Sequence, residues 1–148
     1  MFETIFSWFD SLFGDNLAEH LAGRGFSPEI GDYDYINTNL FDVCGIVGLV
    51  TATLLCVFFY YLWNPAYGKR WKWYLMLGTV AVINLIVGWA IPYTDLINEN
   101  INVGEGLTVS GLDCFMFGFS DLIISAVFFF IISCIIKWGS TGNKYIPF

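Results

Sequence analysis

Three long apolar runs, Val43 to Leu62, Trp73 to Ile91 and Phe115 to Ile136, constrain this chain more than any other feature. A helix needs about 20 apolar residues, rising 1.5 Å each, to cross the hydrocarbon core of a bilayer, and each run is of that length. None contains Lys or Arg, and Asp121 is the one acid among them. Buried helices of a soluble domain would carry polar faces at a 3.6-residue period, whereas these runs are apolar all round. The expected fold is therefore an all-α membrane protein, with three transmembrane helices preceded by an N-terminal amphipathic helix on the outer side. It divides into an outer-side amphipathic helix and acidic loop (1–42), a three-helix transmembrane domain (43–136) and a short cytoplasmic tail (137–148).

Charge placement orients these helices. Only 13% of the residues are charged, about half of what a soluble domain carries. Lys69, Arg70 and Lys72 lie between the first two runs, and Lys137 and Lys144 follow the third, so five of six basic residues share one side. Arg24 alone is on the other side, with every acid outside the runs. The positive-inside rule then puts Lys69, Arg70, Lys72 and Lys137 in the cytoplasm and the N-terminus outside, with the bacterial inner membrane as the expected location. So few cations, most of them at a membrane boundary, exclude a nucleic-acid partner. With no basic leader and with Glu3 and Asp10 interrupting its apolar residues, the N-terminus does not read as a cleaved signal peptide.

Aromatic residues are expected to form belts at the headgroup level. Tyr60, Tyr61, Trp63, Tyr67, Trp71, Trp73, Tyr74 and Trp138 fall at the inner boundary, and Phe41, Trp89 and Tyr93 at the outer one. Asn64-Pro65 and Ile91-Pro92 are expected to end helices, because proline cannot donate the next backbone hydrogen bond.

Before the first run, Phe2, Ile5, Phe6, Phe9, Leu12 and Phe13 recur at helical spacing with polar residues opposite. This predicts an amphipathic helix ending at Gly14, lying on its own bundle or the membrane, or else on a partner. Asn16 and Glu19 have capping-box spacing for a second short helix to about Ala22. Residues 23–41 read as a loop, and His20 as a surface residue. Asp32 and Asp34 raise a calcium reading, but the rest of an EF-hand spacing is absent, so no metal is expected. The Gly-rich stretch between the second and third runs reads as a connection or docking loop.

Cys44 and Cys114 fall at similar depth near the outer ends of the first and third runs, where a disulfide is conceivable and buried free thiols are favoured. Cys44, Gly48, Ala52 and Cys56 form a stripe of small residues, which lets membrane helices approach closely within the bundle or against a partner. Asp121 is the sharpest candidate, because an ionised carboxylate in hydrocarbon is costly. Ser125 and Gly118 share its face, and Asn84 is the polar residue of the second run. With a single His, no HExxH and no phosphate loop, no enzyme activity or cofactor is expected. The leading expectation is a small non-catalytic membrane subunit that packs into and stabilises a larger assembly, its partners being membrane lipids and other subunits or copies of itself. The alternative is a homo-oligomeric ion channel or pore with Asp121 lining the path. A ligand sensor using the acidic outer segments comes third.

Overall fold

The computed structural model describes residues 2–27, 32–35, 38–63, 70–98 and 109–139. Lys69, Lys144, Tyr67 and the connection at 99–108 lie outside the described residues, as does the side chain of Arg70.

Three long helices carry the fold. The first, α4 (Leu40–Val57), continues through a π-helical turn over Phe58–Leu62. The second is α5 (Arg70–Ile97), and the third, α6 (Gly111–Ile136), ends in a short 3-10 turn at Lys137–Gly139. All three are long and apolar enough to cross a membrane. All three start earlier than the apolar runs imply, and for α4 and α6 polar caps lie just upstream. The Asn39 side chain accepts from the Asp42 amide at 3.2 Å, and Ser110 with Asp113 forms a reciprocal capping box.

The expected stop at Ile91-Pro92 is overturned, since α5 passes through Pro92 to Ile97. Proline removes one helical hydrogen bond and crowds the residue four positions back, which here is Gly88. In apolar surroundings ending a helix exposes several backbone groups that nothing else satisfies, so continuing past one missing bond is the smaller loss.

The N-terminal segment is a broken helix rather than a continuous one. It comprises α1 (Glu3–Phe6), a 3-10 turn at Ser7–Phe9 and α2 (Asp10–Phe13). Gly14 ends it with φ +85°, a conformation that L side chains rarely adopt. The same Gly14 caps α3 (Asp15–Leu21), so the Asn16–Glu19 box does not form. Residues 23–41, expected as a loop, contain an antiparallel hairpin, β1 (Arg24–Ser27) with β2 (Asp32–Tyr35), registered by Arg24 opposite Tyr35.

The short helices form a cap over one end of the bundle. Phe6 and Phe13 from the cap meet Phe41 of α4 and Phe117 of α6 in a four-ring cluster, with centroids 5.2–6.3 Å apart. Phe2 lies against Gly45, and its amide donates to Asp42 at 2.9 Å. Leu12, by contrast, is 46% exposed, and Trp8, on the opposite side of the helical pattern, is 78% exposed. A second apolar cluster fills the far end with Ala52, Cys56, Phe59, Trp73, Met76, Val80 and Phe129. Phe41 and Trp73, read as belt residues, are therefore core residues, while Tyr61, Trp71, Tyr74 and Trp138 do face outward.

Between the two clusters, α5 and α6 touch backbone to backbone. A Cβ on Gly118 would stand 2.7 Å from the Leu85 carbonyl oxygen and 2.8 Å from the Trp89 nitrogen. One on Gly88 would stand 2.9 Å from the Asp121 Cβ and 3.1 Å from the Gly118 Cα. Gly78, on the outward side of α5, has nothing within 4 Å. Gly118→Ala and Gly88→Ala should each destabilise the bundle by about 1–3 kcal/mol through overpacking, whereas Gly78→Ala should be neutral or slightly stabilising. Thermal unfolding of the three variants in detergent micelles checks this ordering.

Candidate functional site

Thr51, Asn84, Asp121 and Ser125 meet in one layer between the apolar clusters. Asp121 is the eleventh residue of α6, about 15 Å from the start of the helix at 1.5 Å per residue. It is 1% exposed, and Asn84 and Ser125 are wholly buried. The carboxyl is thus enclosed in the bundle. A Cβ built on Gly48 of α4 would lie 3.6 Å from Asn84 Oδ1, 3.6 Å from Ser125 Cβ and 3.7 Å from Asp121 Oδ1. One residue of the small stripe therefore marks the point where all three helices converge.

Hydrogen bonding in this layer can be traced proton by proton. The Thr51 hydroxyl donates to the backbone carbonyls of Val47 (2.9 Å) and Gly48 (3.0 Å), so toward Asn84 it can only accept. Asn84 Nδ2 donates to Thr51 Oγ1 and to the Val80 carbonyl, both at 2.9 Å. Both amide protons are engaged, which fixes the orientation of the Asn84 amide and leaves Oδ1 facing the layer. Ser125 donates to the Leu122 carbonyl at 3.0 Å and Ser120 to that of Met116 at 3.0 Å. Each hydroxyl proton is thus held by its own helix. Asn84 Oδ1 and both Asp121 carboxyl oxygens are left buried with no hydrogen-bond partner.

The small stripe faces inward throughout, with Cys44, Gly48, Ala52 and Cys56 all buried and Cys56 Sγ 3.5 Å from the Phe129 carbonyl oxygen. Cys44 and Cys114 are buried free thiols rather than a disulfide.

Two polar clusters flank the layer, and neither was anticipated as a site. At the end away from the cap, Ser133 Oγ accepts from Trp73 Nε1 at 2.8 Å and shares a 2.7 Å hydrogen bond with the Tyr60 hydroxyl. These side chains come from α6, α5 and the π-helical extension of α4, so a single serine ties the three helices together. At the cap end, His20 is buried instead of surface-exposed, with Nε2 3.0 Å from Asp95 Oδ2 of α5. Arg24 reaches Glu19 at 3.3 Å and Glu3 at 3.4 Å, beside a cavity of about 110 Å³ also lined by Ser7, Asp10 and Phe41. Partial burial raises the Asp10 carboxyl above the ordinary carboxylate range, and repulsion from Asp15 and Glu3 adds to it. The side chains of Asp32 and Asp34, which carried the calcium reading, lie outside the described residues. Among the described residues no three His, Cys, Asp or Glu side chains are grouped to hold a metal.

No known family, curated protein or solved structure matches this chain. Its class rests on its own architecture: a multi-pass membrane protein of three helices under a folded cap.

Removing Ser133 would take the acceptor from Trp73 Nε1 and one hydrogen-bond partner from the Tyr60 hydroxyl. Ser133→Ala should cost about 1–3 kcal/mol, and most of that loss should be absent when Tyr60→Phe and Trp73→Phe are already in place. A mutant cycle by thermal or denaturant unfolding in micelles measures it.

Proposed function

We propose that this chain is a small non-catalytic membrane subunit that packs into and stabilises a larger membrane assembly. The observation that carries this reading is the outward face of α5. Only 22% of the most apolar window of α5 is buried, against 39% for α4 and 33% for α6. Trp71, Gly78, Val82, Ile86, Trp89 and Tyr93 line this face, and Gly78 makes a notch in it. A glycine inside a helix costs about 1 kcal/mol relative to alanine, and the bundle itself obtains no contact for that cost. Glycine on a lipid-facing surface lets a second membrane helix approach closely, where packing rather than hydrophobic transfer drives association.

The N-terminal helix and the small stripe, the other two surfaces available for partners, are occupied within the chain. The alternative of a homo-oligomeric channel would need Asp121 to face an axis between copies, and its burial inside its own bundle favours the subunit reading. In this reading the assembly lies in a bacterial inner membrane, with the cap outside and residues 137–148 in the cytoplasm, an orientation that the placement of the basic residues supports under the positive-inside rule.

Gly78→Phe should leave the melting temperature of the isolated chain unchanged and abolish the complex recovered in mild detergent. Recovery of a lone monomer from the wild type, or of an intact complex from the variant, would refute the reading. Orientation is checked separately with a cysteine introduced at Trp8, the exposed cap residue. An impermeant thiol reagent should label it from outside the cell and not from the cytoplasmic side of inverted vesicles.

A further inference from the structure

We propose that Asp121 and Asn84 form a proton-binding site at the centre of the bundle, in which the Asp121 carboxyl binds one proton and donates it to Asn84 Oδ1. The argument rests on donors and acceptors rather than on burial alone. Three buried oxygens, Asn84 Oδ1 and the two of Asp121, have no hydrogen-bond partner. Asn84 Oδ1 and Asp121 Oδ1 stand 3.6 and 3.7 Å from one point, the Cβ position of Gly48. Buried acceptors gathered around one point without a donor are destabilising, because a buried polar group left unpaired costs free energy. One proton on Asp121 supplies the missing donor. It removes the charge from the carboxyl, satisfies Asn84 Oδ1 and leaves a neutral carbonyl oxygen as the one remaining acceptor.

No other group in the layer can play that part. The Thr51, Ser120 and Ser125 hydroxyls donate to backbone carbonyls of their own helices. From α5 the groups facing Asp121 are Asn84 and Gly88, both neutral. From α4 they are Gly48 and the titratable thiol of Cys44, which interacts with the carboxyl through space. A thiol is a weak donor, and Cys44 makes no hydrogen bond to either Asp121 oxygen. No Lys or Arg occurs in residues 43–62, 73–91 or 115–136 to neutralise a carboxylate.

Proton release is therefore tied to helix motion. A carboxylate here would have no donor until α4 or α5 moved to admit water or a cation, so the protonation state of Asp121 is coupled to how tightly the three helices close. Nothing in the subunit reading requires this site, and it stands or falls independently of the face around Gly78.

Infrared spectroscopy of the full chain in lipid nanodiscs tests the proposal at neutral pH. The wild type should show the C=O stretch of a neutral carboxylic acid, shifted on exchange into D2O and lost in Asp121→Asn. Asn84→Leu, which removes the acceptor, should move that band to higher wavenumber. Asp121→Asn should melt at or above the wild-type temperature, because its amide supplies the same donor. The deuterium shift is read on the wild type alone and does not depend on any variant folding. A wild type without the band, a band that survives in Asp121→Asn, or a band unmoved in Asn84→Leu would overturn the assignment. So would a melting temperature that sodium or potassium raises in the wild type and not in Asp121→Asn, which would make the site a cation site.

Discussion

The backbone contact between Gly88 and Gly118 is the constraint on which the rest of the structure depends. In a bilayer, lipid tails solvate apolar side chains as well as a neighbouring helix does, so association must come from close packing and hydrogen bonds. Glycine on both helices brings α5 and α6 together until the Leu85 carbonyl and the Trp89 amide lie beneath Gly118. That approach turns the face of α6 carrying Asp121 toward Asn84 and Gly48. The position of the acid thus follows from two absent side chains as much as from its own chemistry.

Apolar clusters on either side complete the arrangement by different means. At the far end, packing around Phe129 is reinforced by Ser133, whose oxygen joins Tyr60 and Trp73. Toward the cap, the bundle is closed by residues from outside the long helices. Phe6 and Phe13 pack onto Phe41 and Phe117, which also touch each other, while His20 and Asp95 pair between α3 and α5. The aromatic face of the N-terminal segment is thereby consumed as core, and its Trp8 side is left exposed.

Hydropathy made the three long helices legible, since no other structure buries such runs, and Gly14 was legible as the end of the first short segment. Pattern alone did not locate the helix starts, although Asn39 before Asp42 and Ser110 before Asp113 are capping signals open to a closer reading. Proline misled at position 92 because the rule that it ends helices assumes water to receive the freed backbone groups. Tyr60, Trp73 and Phe41 were misread as belts, because an aromatic near a helix end has the same sequence signature whether it points to headgroups or to a neighbouring helix. For the central layer, Asn84, Gly118, Asp121 and Ser125 could be singled out by polarity or size. Thr51 and Gly88 could not, because what distinguishes them is the helix that each one faces. His20 was missed for the same reason, its partner lying 75 residues away.

That central layer differs from the polar contacts above and below it. Ser133 binds α6 to both other helices, whereas the hydroxyls of Ser120 and Ser125 turn back onto α6 itself. Asn84 joins α5 to α4 through Thr51 and to its own Val80 carbonyl, but no hydrogen bond among the described residues crosses from this layer to α6. With an ionised Asp121, α6 would be held at mid-depth by glycine packing alone, against the cost of a buried charge. With a neutral one, the same carboxyl becomes the link from α6 to Asn84, and through it to Thr51 on α4. The carboxyl able to complete the hydrogen bonding of the three-helix layer is therefore one whose capacity to donate depends on binding a proton.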